Sequence, residues 1–169
     1  MTSTTAASKF PRRSQPKEAR RLARLVAVQA LYQADIMQQS AVLVLKEFEA
    51  HRLTLHKGHQ YLFDVDSAEV IGTVDIMLMR DIVALALQHQ KALEDMLAAN
   101  LPSDWKLDRI ERQLRVVLLA ALAETLYQPA TPMGVIISDY LDVAHAFYEG
   151  KEPGMVHAIL DKVGKEVRS

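Results

Sequence analysis

The sequence predicts an all-helical domain, and three observations carry that prediction. Long stretches are rich in Ala, Leu, Gln, Glu, Lys and Arg, all good helix formers. Period-two alternation, the mark of a half-buried strand, is missing. Glycine and proline number six each in 169 residues and punctuate the chain rather than pervade it. The length suits one domain with a sizeable core. Half the residues are apolar and 24% are charged, which excludes a disordered, collagenous or low-complexity chain.

Residues 1–15 hold Ser, Thr, Pro and bases without apolar periodicity and read as a flexible basic tail. The helical domain is expected over 16–169, with a candidate boundary near Pro102 that would give sub-halves 16–101 and 102–169. Six to seven helices are expected. The first spans 16–38, with Leu22, Leu25, Gln29, Tyr32 and Ile36 on its inner face by i, i+3, i+4 spacing. The second spans 41–55, amphipathic through Leu45, Phe48 and Leu55. Residues 56–66 form a loop. Ser67 caps one long helix to residue 100, with Glu69 suiting the dipole of its first turn. Val74, Met77, Leu78, Ile82, Leu85, Leu93 and Leu97 trace its apolar stripe, and Pro102 ends it. Residues 108–127 are apolar nearly all round, so this helix is central to the bundle. After Pro129, Thr131 and Pro132 supply a cap and a first-turn proline for a helix to about 148. Residues 150–154 form a turn, and a last helix spans 155–167.

Several chemistries are excluded or unsupported. There is no cysteine, hence no disulfide framework, thiol nucleophile or thiolate zinc site. Phosphate-cradling glycine motifs, a nucleophile elbow and a zinc-protease helix are all missing. His51, His56 and His59 cluster, but at no common metal spacing, and read as loop histidines. Asp139 and Asp142 share a helix face and read as solvated. No catalytic site, metal or cofactor is expected. The longest apolar run has eight residues, 116–123, too short to span a membrane. A cytoplasmic protein is expected.

The charge is unevenly spread. Residues 1–30 hold Lys9, Arg12, Arg13, Lys17, Arg20, Arg21 and Arg24 against one acid, Glu18, while the whole chain sums to −1. On a helix, Lys17, Arg20, Arg21 and Arg24 are neighbours and form one basic stripe away from the inner face. Such a stripe suits phosphates, and arginine also stacks on unpaired bases. A solvated face, or contact with a membrane or an acidic protein, would use the same charges. Cations at a helix N-terminus oppose its dipole, which argues for a partner.

Three stretches carry a family resemblance. Arg20-Arg21-Leu22-Ala23-Arg24 runs into Val28-Gln29-Ala30-Leu31-Tyr32-Gln33. A second stretch, ending at Phe147, reads AETLYQPATPMGVIISDYLDVAHAF. The third is Ile159-Leu160-Asp161-Lys162-Val163. In order and spacing they resemble the bacterial NusB family of transcription antitermination factors over about residues 17–168. The resemblance implies an all-helical fold in two halves and RNA binding without catalysis. It implies pairing with a NusE-like ribosomal protein on the boxA element of ribosomal RNA transcripts. Other Nus factors and RNA polymerase would be reached indirectly, and a homodimer is a further state seen among relatives. Carried over, the RNA-binding positions are Lys17, Arg20, Arg21, Arg24 and Gln29 on the first helix. Lys151, Glu152, Met155 and His157 are those around the last. The chain departs from the family pattern at several positions. Met155 stands where a Phe is usual, His157-Ala158 replaces Asn-Gly, and Ser138-Asp139 replaces Asn-Glu. Leu119 and Ala123 also differ. Loss of the Phe ring removes a stacking surface and bears on boxA specificity. A diverged protein-interaction module is the alternative the departures suggest.

Overall fold

The computed structural model describes residues 16–48 and 74–168. The helices are α1 (Pro16–Met37), α2 (Ala41–Glu47), α3 (Ile76–Gln88), α4 (Gln90–Asn100), α5 (Arg112–Tyr127), α6 (Met133–Phe147) and α7 (Glu152–Val167). A 3-10 turn, Leu107–Arg109, precedes α5. No strand occurs among the described residues. The expected loop 56–66, the far half of the second predicted helix, the tail 1–15 and the cluster His51, His56, His59 lie outside the described residues. Among the described residues no helix is long and apolar enough to cross a membrane.

The axis of the bundle is α5. From Val116 to Thr125 every residue is buried, so neighbours surround it. It packs against α1, α3, α4, α6 and α7. Ion pairs give the direction of α1: Arg24 meets Glu124 near the end of α5, and Asp35 meets Arg112 at its start. The two helices are therefore antiparallel. Between α5 and α7 the chain reverses twice, so α7 runs alongside α5. The α7 glycine Gly164 lies against Met133 at the start of α6; a Cβ there would sit 2.7 Å from the Met133 methyl carbon.

Helix boundaries differ from the sequence reading for identifiable reasons. The buried surface of α1 is built from Ala23, Val26, Ala27, Val28, Ala30, Leu31 and Ala34. Ile36, expected inside, is 44% exposed, and Leu22, Leu25, Gln29 and Tyr32 form a half-buried flank. Alanines let α3 and α5 approach the α1 backbone closely, so small residues rather than large ones mark the contact. Gln38 closes α1 in the left-handed region at φ 51°, and the Gln39 N–H donates to the Ala34 carbonyl.

The long helix expected over 67–100 is two helices. Residues 74 and 75 are not helical, and α3 is capped by Asp75, whose carboxylate accepts from the Leu78 N–H at 3.0 Å. The Asp75 N–H in turn donates to the Ala19 carbonyl, tying α3 to α1. The expected cap Ser67 lies outside the described residues. His89 breaks the helix at φ −110°, ψ 19° while its ring stacks on Tyr127, centroids 3.8 Å apart. The re-aimed α4 buries Leu93 and Leu97. Met77, assigned to the apolar stripe, is instead 66% exposed.

The α6 cap position is Pro132 rather than Thr131, which is buried one residue upstream. Helix α7 begins at Glu152, not Met155, because Pro153 occupies its first turn, where a missing N–H costs nothing.

Candidate nucleic-acid interface

The basic stripe expected on the first helix divides in the structure. Lys17 is exposed, Arg20 and Arg21 are half-buried, and Arg24 has no accessible surface. Helix α6 causes the division, because it crosses α1 at this point. Arg20 donates from Nη2 to the Thr131 hydroxyl at 3.4 Å. Arg21 pairs with Glu18 at 2.7 Å and with Asp142 of α6 at 3.5 Å. Arg24 turns inward. Its Nε and Nη2 fork onto the two Glu124 oxygens at 2.8 and 2.9 Å, and its Nη1 donates to Asp139 at 2.7 Å. A side chain sealed this way meets no RNA from solvent, so Arg24 is corrected from an RNA contact to an internal anchor. Asp139 is corrected likewise: it is 3% exposed and not part of a solvated face.

The buried charges adjust one another. Burial opposes the Arg24 cation, but its hydrogen bonds and the nearby charge of Glu124 outweigh that, and its pKa is raised. Burial likewise raises the Asp139 carboxyl above its ordinary value, against the pull of Arg24. Tyr140, wholly buried beside Glu124, is pushed well above the ordinary phenol value, first by burial and then by that carboxylate. Its hydroxyl makes no well-formed hydrogen bond.

The second group of expected contacts stands apart from the first. Lys151 and His157 are exposed at the start of α7, Glu152 is half-buried, and Met155 is 7% exposed. Met155 packs in the core and offers no open face to a base. This group lies toward the start of α5, where Tyr148 meets Glu111; the arginines lie toward its end, beside Glu124 and Thr131. Gln29 is half-buried on α1 between the Arg24 and Asp35 levels. The two groups therefore lie toward opposite ends of α5, a helix of 16 residues and about 24 Å at 1.5 Å per residue.

Several residues that organise this face escaped the sequence reading. Glu124 had a signal: it is the lone acid in the apolar stretch from Val116 to Tyr127, and a buried carboxylate requires a cation. The sequence offers Thr131 only as a cap and Asp142 only as a solvated acid, and nothing in it singles out Arg168. Arg168 reaches back from the end of α7 to the carbonyls of Glu124, Thr125, Gln128 and Thr131 around the end of α5; Glu124 also accepts from the Gln128 N–H, and Gln128 from the Thr131 N–H.

Comparison with known proteins agrees with this architecture. The pattern described as the NusB family matches residues 21–165. The chain is 38% identical over 160 residues to the transcription antitermination protein NusB of Bartonella tribocorum, covering 94% of each chain. It is 37% identical over 147 residues to that of Rhizobium etli, covering 87% of this chain and 86% of the relative. The Bartonella henselae protein is 39% identical over 147 residues, with 86% and 87% covered. Among solved structures, T. maritima NusB superposes with a TM-score of 0.67 at 22% identity, covering 90% of this chain and 93% of that one. At that identity the likeness shows the fold.

Proposed function

The chain belongs to the NusB family. On that premise we propose that it pairs with a NusE-like ribosomal protein and binds boxA-type single-stranded RNA of ribosomal RNA transcripts. The family comprises transcription antitermination factors that bind RNA without catalysis, so the chain acts in transcription regulation and is not an enzyme. The observation that carries the finer reading is the family match over residues 21–165, which takes in Arg21 and the start of α7.

In this reading Lys17, Arg20 and Arg21 neutralise phosphates beside the end of α5. Lys151 and His157 meet the strand beside its start, with Gln29 and Glu152 as half-buried flanks. Arg24 and Met155 support the two sites from inside. Affinity rests on phosphate neutralisation, and sequence preference rests on splayed bases, because an A-form duplex hides its base edges from side chains. Other Nus factors and RNA polymerase are engaged through the assembled pair, in the cytoplasm.

A second reading, a protein-interaction module without RNA specificity, is favoured by one observation. Met155 replaces the usual Phe and is buried, so that position offers no stacking platform. Fluorescence anisotropy separates the readings, using a boxA RNA and a scrambled control with and without the NusE-like protein. Tighter boxA binding that strengthens with the partner supports the first. Equal affinity for both RNAs, alongside retained partner binding, selects the second.

A further inference from the structure

Helices α1 and α6 meet through two Arg–Asp rungs one turn apart. Arg24 and Arg21 are three residues apart on α1, and their partners Asp139 and Asp142 are three apart on α6. The inner rung is sealed from solvent. The outer rung is open: the side chains of Arg21 and Asp142 are 43% and 52% exposed. Glu18, 48% exposed and one turn earlier on α1, closes on the same guanidinium at 2.7 Å. Arg21 is thus held by two carboxylates from two helices at a surface where RNA is expected. The pKa of Arg21 is raised, chiefly by its hydrogen bond to Glu18.

A guanidinium presents a planar fork of N–H donors, and carboxylate and phosphate oxygens compete for the same edges. Pairs this exposed are weak and exchange readily with other anions. The buried inner rung fixes how α1 lies on α6, and so keeps Asp142 beside Arg21 in the free protein. We propose that Glu18 and Asp142 are affinity-setting residues: their carboxylates occupy Arg21 in the free protein and are displaced by RNA phosphate on binding. The proposal rests on the RNA-binding reading above. It makes the acids opponents of RNA rather than props for the arginine, and the two roles predict opposite signs.

The test uses the full chain and a labelled single-stranded boxA-type RNA, with anisotropy at several salt concentrations. Glu18→Gln, Asp142→Asn and the double variant are each made with and without Arg21→Ala; both acids are exposed, so the fold is not at stake. The double variant should bind roughly threefold to tenfold tighter at low salt. Its slope of log affinity against log salt should stay close to the parent's, because Arg21 engages the same phosphate in both bound states. The gain should vanish on the Arg21→Ala background. Equal or weaker binding by the acid variants overturns the proposal, as does a gain that survives loss of Arg21, which would be a general charge effect. If neither parent nor variants bind RNA at any salt, the RNA-binding reading falls first and this proposal with it.

Discussion

Arg24 and Glu124 face each other as a forked ion pair at 2.8 and 2.9 Å with neither side chain exposed to solvent. Asp139 completes the cluster, so one guanidinium serves two carboxylates inside the bundle. The pair joins α1 to the end of α5, residues 100 apart in sequence, and Asp139 brings in α6. Removing the cation would leave two buried acids without a counter-charge.

Arg24→Ala should therefore destabilise the fold by about 3–5 kcal/mol, the usual consequence of breaking a buried pair from one side. Arg24→Lys should recover part of the loss, since an ammonium keeps the charge but cannot fork. Urea denaturation measures both. A loss under about 1 kcal/mol for the alanine variant would mean the cluster holds nothing together.

The raised pKa of Tyr140 sets an alkaline limit. The folded chain keeps this phenol protonated beyond its ordinary value of 10.0, whereas the unfolded chain releases the proton there. The folded state then binds more protons than the unfolded one, so stability is unaffected below pH 10 and falls as pH rises above it. Tyr140→Phe should remove that part of the alkaline slope. It should cost no more than about 1 kcal/mol at pH 7, because the hydroxyl lacks a well-formed hydrogen bond. Denaturation midpoints at pH 7, 9 and 10.5 check both statements, and an unchanged alkaline slope refutes the first.

For RNA binding, the sequence pattern named three arginines and burial leaves two open to solvent. Arg20→Ala with Arg21→Ala should lower the magnitude of the log–log salt slope by up to about 1.4, two phosphates at roughly 0.7 each on a single strand. An unchanged slope in a salt titration would remove both from the interface.

Arg168 closes the C-terminal end of α5 by donating to four carbonyls. Arg168→Ala should cost about 1–3 kcal/mol, a fall of roughly 2–12 °C in melting temperature at this chain length. Arg168→Lys should restore less than half of it, because a single ammonium cannot span the carbonyls of Glu124, Thr125, Gln128 and Thr131. Full rescue by lysine would show that charge alone matters there.

The fold class and the central role of α5 were legible in the chain itself. Helix-forming composition and the unbroken apolar run 116–123 are local properties that require a buried helix wherever its neighbours lie. The basic start of α1 was legible too, as a surplus of charge. Which arginine faces solvent was not. Arg20, Arg21 and Arg24 have the same chemistry and helical spacing, and only the crossing of α6 puts Asp139 opposite one of them and Asp142 opposite another. The break at His89 has the same origin: it follows from which surfaces meet across the bundle, as the stack of His89 on Tyr127 shows, and periodicity along one helix carries no record of its partners. The early start of α7 is instead local, set by Pro153 in its first turn. The sequence by itself determined that the chain buries a set of helices and gathers cations at one end. Tertiary packing decided which charges were paired and sealed and which were left at the surface, because burial depends on residues 100 or more positions away.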